Sequence, residues 1–418
     1  MRNAAAVLAV GLLTIAGWAQ DSPGPAQSSS PAERSVNRAE RLIVKNPKDF
    51  EAYNALALAL SRRARETSDV SFYAKSDQAL QKSFEISPGN VDGERTRIWV
   101  LLGKHEFAAA LNAAKALNLK LPNDIMVYGF LTDANVELGN YKDAETAAQR
   151  ILDLRAGNIP GLTRAAYLRE LFGDVDGALD LMQTAYESTP MSESEDRAWI
   201  LTQMAHLQLS IGRTQQAEAL LMQALAAFPG YHYALGNLAK LRIQQKRYTD
   251  AVTLLEQRYR SAPHAENLYD LAEALQLAGR TDDANRAFSE FERKSLLETN
   301  RADNSNHELT FYYVDHAHEP TKALEVARRE FERRHDVFTV EAYAWTLFNN
   351  GRYVEARRQI EGALAVGLRD AKFYRHAADI AEKCGDASVA QKYRSQATRL
   401  SATEPATTVG SVQSLPVL

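Results

Sequence analysis

The residues in this chain best placed to do chemistry stand together at Asp315-His316-Ala317-His318-Glu319, with His307 upstream. Carboxylates and imidazoles so close in sequence are the ligand types that hold a transition metal. A spacing of two between His316 and His318 works against this, because on a helix the two rings point in divergent directions. The segment therefore reads as a polar helix terminus, with a metal-dependent activity at His316 kept only as a distant alternative. His335, in Arg333-Arg334-His335-Asp336, fits a cation near a helix C-terminus. The sequence contains no Gly-x-Ser-x-Gly elbow, no glycine-rich phosphate loop and no His-Glu-x-x-His helix. No catalytic residue, metal site or cofactor is assigned, and the chain is not expected to be an enzyme.

The elements that would carry these residues are set by a repeat. Small residues recur at Ser76, Ala110, Ala144, Ala178, Ala217, Ala251, Ala284, Ala323, Ala356 and Ala390, at spacings of 34, 34, 34, 39, 34, 33, 39, 33 and 34. A period near 34 signals stacked structural units. Gly139, Gly173, Gly212, Gly279, Gly351 and Gly385 each stand five residues before one of these positions. Pro88, Pro122, Pro190, Pro229 and Pro263 follow others by twelve. Glycine ends a first helix and proline follows a second, so each unit is expected to be two antiparallel helices. Alanines at 166, 205, 239, 272, 344 and 378 supply the facing small positions on the first helices, allowing close helix approach. Extra residues around Glu66 to Tyr73, Met191 to Glu195 and Leu296 to Ser305 break the period. In the eighth unit Phe311 stands at a small position and His318 at the glycine position.

Tyr128, Leu131, Thr132, Gly139, Tyr141, Ala144 and Ala148, within Asp124 to Arg155, stand at the offsets of a tetratricopeptide repeat, although Ala156 replaces the usual proline. The chain resembles that family over about ten units from Pro47 to Leu400. The resemblance implies an all-α, right-handed superhelical solenoid of about ten antiparallel helix pairs, whose first helices line a concave, partner-binding side. Carrying the family's inward position across gives Trp99, Asp133, Tyr167, His206, Lys240, Glu273, Tyr312, Trp345 and Asp379. Glu137, Glu170, Asp315, His316 and Glu382 lie further along the same faces, and Glu341 lies one turn before Trp345. Tyr167, His206, Glu273, Tyr312, Asp315, Glu341 and Trp345 are the candidate partner contacts. An aromatic, mildly acidic groove favours a protein or peptide segment with basic and apolar residues. Ordinary packing between neighbouring helices accounts for the same residues without any ligand. The lysine and asparagine clamp with which some members hold a carboxylate is not visible at these offsets.

Composition frames this reading. Of 418 residues 45% are hydrophobic and 24% charged, as in a folded chain, and a net charge of -4 lacks the basic footprint of a general nucleic-acid binder. Arg2, the apolar run Ala4 to Ala16 and Gly17-Trp18-Ala19 match a signal peptide over 1–19, shorter than a membrane span. A disordered linker is expected over 20–34, the solenoid over 35–400 and a disordered tail over 401–418. The product would be exported, periplasmic or secreted, and not integral to the membrane after cleavage. Its single cysteine, Cys384, forms no internal disulfide and reads as packing. An extracytoplasmic interaction scaffold is the leading reading. The alternative is a structural subunit that helps assemble an envelope complex through its outer surface.

Overall fold

The computed structural model describes residues 30–401, all α-helical apart from turns and one π-helical segment. Helix α1 (Pro31–Lys45) precedes ten pairs. The first five are α2 (Phe50–Thr67) with α3 (Ser71–Ile86), α4 (Val91–Gly103) with α5 (Phe107–Lys120), α6 (Ile125–Glu137) with α7 (Tyr141–Leu154), α8 (Ile159–Leu171) with α9 (Val175–Ser188), and α10 (Ser194–Ser210) with α11 (Thr214–Ala227). The second five are α12 (His232–Gln244) with α13 (Tyr248–Ser261), α14 (Ala265–Leu277) with α15 (Thr281–Glu298), α16 (Asn306–Phe311) with α17 (Pro320–Phe331), α18 (Val337–Asn349) with α19 (Tyr353–Val366), and α20 (Ala371–Lys383) with α21 (Ala387–Ser401). The helical-repeat solenoid expected from the spacing is the architecture found.

The periodic small residues do the work expected of them. Ser76 and the nine alanines from Ala110 to Ala390 are at most 1% exposed, and so are the facing alanines from Ala166 to Ala378. A side chain the size of a methyl group is what allows each pair to close. Six of the ten first helices open on a side-chain acceptor for their free N–H groups: the Asp124 carboxylate accepts from Met126 N at 2.8 Å, and Asp336 and Asp370 do the same for α18 and α20.

Two boundaries differ from expectation. The linker assigned to 20–34 ends earlier, because residues 31–34 form the first turn of α1, where Pro31 starts the helix and Glu33 faces its positive end. The insertion at Met191 to Glu195 is partly helical, lengthening α10 to 17 residues. The signal peptide, the rest of the linker and the tail beyond Ser401 lie outside the described residues. Among the described residues no helix is long and apolar enough to cross a membrane.

The eighth unit is the irregular one. Buried Phe311 takes the place of a small residue, α16 is only six residues long, and Tyr312–His316 continues it as a π-helical turn. His318 then adopts φ 54°, the left-handed conformation that glycine supplies elsewhere. His105 and Lys246 do the same after α4 and α12, each at φ 59°. A non-glycine residue there costs about 1 kcal/mol.

Contacts six units apart join successive superhelical turns. His335 N donates to Glu137 O at 3.0 Å, and Val337 N donates to the Tyr141 hydroxyl at 2.8 Å. A Cβ on Gly139 would stand 2.7 Å from the His335 carbonyl oxygen, and one on Gly173 would stand 2.7 Å from that of Gly367. The ends of α6 and α8 thus abut the starts of α18 and α20. Nearer the N-terminus, Arg65 of α2 pairs with Glu195 and Asp196 of α10.

Candidate functional site

The first helices carry the candidate contacts, and much of their inner face is spent on joining one unit to the next. Glu170 accepts from His206 at 2.8 Å, Glu273 from His316 at 3.2 Å, and Glu341 pairs with His376. Each pair sets a glutamate of one first helix against a histidine of the following one. Asp133 is held in the same way by Arg164, whose Nη2 lies 2.5 Å from its carboxylate. That guanidinium crosses Gly129, where a Cβ would come within 3.0 Å of it, so a helix-interior glycine makes room for a buried charge.

The candidates separate by burial. Glu273 and Glu341 are 6% and 1% exposed, and serve internal pairs rather than a surface. Burial raises the Glu273 carboxyl above its ordinary range, with His316 opposing. Burial also opposes the charge on Glu341, but His376, Lys372 and His307 together outweigh it and hold this carboxyl low. Tyr167 is half-buried beside Glu137 and Asp336, and Tyr312 is stacked on Phe288 at 5.5 Å. His206 is half-buried.

Trp345 and Asp315 differ from these. The indole lies parallel to His376 at 3.7 Å and to Phe348 at 5.0 Å, while its N–H points to Asp315 at 3.4 Å. Asp315 is exposed, Trp345 only half-buried, and Asp379 and Glu382 lie on the neighbouring α20. Rings stacked in this way lose few rotors when a partner lands on them. Of the candidate contacts, Asp315 is the exposed one, and Trp345 is half-buried like Tyr167, His206 and Tyr312.

The histidine cluster that opened the sequence reading is dispersed. His316 turns inward to Glu273, His318 is exposed in its left-handed turn, and His307 packs on Phe311 at 5.0 Å. Among the described residues, no three His, Cys, Asp or Glu side chains are grouped to hold a metal ion. His335 lies beyond the end of α17, edge-on to Phe331 with ring centroids 4.5 Å apart. The Cys384 thiol reaches the Tyr353 carbonyl at 3.4 Å.

Sequence reasoning missed the charges buried where units and turns meet. Arg258 is 1% exposed, paired with Asp270, and packed over Gly236. Arg334 bridges Glu137 at 2.5 Å and Asp336 at 2.7 Å. Burial, only partly offset by Arg334, pushes the Glu137 carboxyl up to about 7. His232 is 1% exposed, bonded through Nε2 to the Arg65 carbonyl at 3.1 Å, and burial lowers its pKa to about 3.

Residues 209–266, from the end of α10 into α14, match the tetratricopeptide repeat family. That segment is a tetratricopeptide repeat, and the helix pairs on either side of it repeat the same architecture. The solved structure of the human IFIT1 dimer with m7Gppp-AAAA aligns over 88% of this repeat protein and 86% of its own chain, at 15% identity and a TM-score of 0.50. The human IFIT1 dimer with PPP-AAAA aligns over 90% and 96%, at 12% identity and the same TM-score. At these identities the likeness is one of fold. No curated protein sequence matches the chain.

Proposed function

We propose that this repeat protein is an extracytoplasmic interaction scaffold that captures a protein or peptide segment on the first helices of its last three units. The observation that carries the reading is the ordered aromatic step of Trp345, Phe348 and His376, half-open and flanked by the exposed Asp315. A segment presenting an apolar side chain to the step and a lysine or arginine to Asp315 fits this surface, whereas Asp379 and Glu382 are already paired with Arg394. The net charge of -4 supports a protein partner over a nucleic acid. Export rests on the order of Arg2, the apolar run and the small residues before Gln20. The reading assigns no catalytic step and no cofactor.

Crosslinking in intact cells, comparing the natural chain with Trp345→Ala, tests the surface. Loss of the captured species with little change in melting temperature supports the reading. Full retention contradicts it and favours assembly through the outer surface. Fractionation with N-terminal sequencing of the mature product tests export, and a cytoplasmic chain retaining Met1 rejects it.

A further inference from the structure

A cavity of about 90 Å³ lies in the seam between superhelical turns, away from Trp345. Its walls come from α2, α3 and α4 on one side, and from Tyr233, His264, Glu266 and Asp303 of later units on the other. Tyr73, Trp99 and Tyr233 supply aromatic surface, and the Tyr73 ring is set so close to Gly103 that a Cβ there would lie 2.5 Å from it.

The polar groups of this cavity are poorly satisfied by one another. Asp303, with 15% of its side chain exposed, has the His105 ring 3.9 Å away, beyond hydrogen-bond distance. Glu266 is 4.0 Å from Arg258, which is engaged more closely by Asp270. The His264 side chain is 10% exposed, its Nδ1 has no hydrogen-bond partner, and it stands 3.9 Å from Glu266. Buried groups at such spacings call for something between them.

The sign of that something follows from charge. Arg62 and Arg65 are already engaged by Glu193, Glu195 and Asp196, and Glu137 is held by Arg334. Burial lowers the pKa of His105 to about 3, which leaves it neutral. Burial pushes Asp303 up to about 6, with His264 and Arg301 opposing and Glu266 and Glu298 reinforcing the shift. Two carboxylates, Glu266 and Asp303, are thus left with no cation within hydrogen-bond distance among aromatic walls. A positive group gains from both the carboxylates and the ring faces, whereas an anion meets repulsion.

We propose that this cavity binds a small organic ammonium group, held by Glu266 and Asp303 against Tyr73, Trp99 and Tyr233. An aliphatic amine of a few carbons suits the volume, which exceeds that of a single water several-fold. The ammonium reaches the site either as a free amine or as the tip of a partner's lysine.

Calorimetric titration of the full chain at pH 8 with n-butylammonium chloride, n-butanol and N-acetyl-lysine methylamide tests this. Saturable binding of butylammonium, at least tenfold weaker in Asp303→Asn and absent with butanol, is expected. Binding of butylammonium alone assigns the site to a free amine, and comparable binding of the lysine derivative assigns it to a side chain. Without amine, Asp303→Asn should melt higher than the natural chain, because it removes an uncompensated charge. If that variant does not fold, Glu266→Gln gives the same comparison. Absence of saturable heat, equal binding of butanol, or unchanged affinity in the variants overturns the proposal.

Discussion

Arg258 illustrates what single residues contribute in this solenoid. Its guanidinium is 1% exposed and faces Asp270, itself 2% exposed, so truncation strands a carboxylate away from water. Arg258→Ala should cost about 3–5 kcal/mol in chemical denaturation. His232 gives a pH-dependent counterpart. Its folded pKa of about 3 lies below the unfolded value of about 6.5, so the unfolded chain binds the extra proton between them. Stability from this residue is therefore complete above about pH 6.5 and lost as pH falls toward 3. His232→Gln, which keeps a donor for the Arg65 carbonyl, should flatten the acid limb of a plot of stability against pH; an unchanged limb would assign acid sensitivity elsewhere. Neither residue was legible as special beforehand. Arg258 lies on a second helix in a charged stretch, and burial inside a seam leaves no periodic mark.

At the scale of elements the sequence was easy to read, because helix pairing is governed by local spacing. The alanine ladder gave the pairs and the glycine ladder gave the ends of first helices. Ala144→Leu or Ala178→Leu should lower stability by about 1–3 kcal/mol, since both positions are fully buried. Unaltered melting of both variants would contradict the assigned contacts. Where the glycine ladder fails, at His105, Lys246 and His318, the chain keeps the left-handed turn and accepts its cost. His318 was visible as an exception, and the same rule applied five residues before Ala110 and Ala251 would have found the other two. The glutamate–histidine pairs were half legible. Glu170 and His206 are 36 residues apart and Glu341 and His376 are 35 apart, about one repeat, so complementary types were already in register. Which of them would be buried was not, because burial depends on how tightly the first helices converge.

Across the whole molecule, the decisive feature is that turns of the superhelix touch. Residues roughly six repeats apart share no spacing signal, so the seam and the cavity within it were invisible in the sequence. The inner face, by contrast, is largely filled by ion pairs between neighbouring first helices, with Asp315 beside Trp345 left exposed. Glycine substitutions separate seam from turn. Gly139, Gly173 and Gly279 have φ of 73°, 84° and 73°, so alanine pays a similar backbone penalty at each. A Cβ at Gly279 meets nothing within 4 Å, whereas at Gly139 and Gly173 it meets backbone of the next superhelical turn. The most direct measurement is the unfolding free energy of the three alanine variants, side by side. Gly139→Ala and Gly173→Ala should lose about 1–3 kcal/mol more than Gly279→Ala, the typical cost of overpacking. Equal losses at all three positions would mean that the turns do not touch.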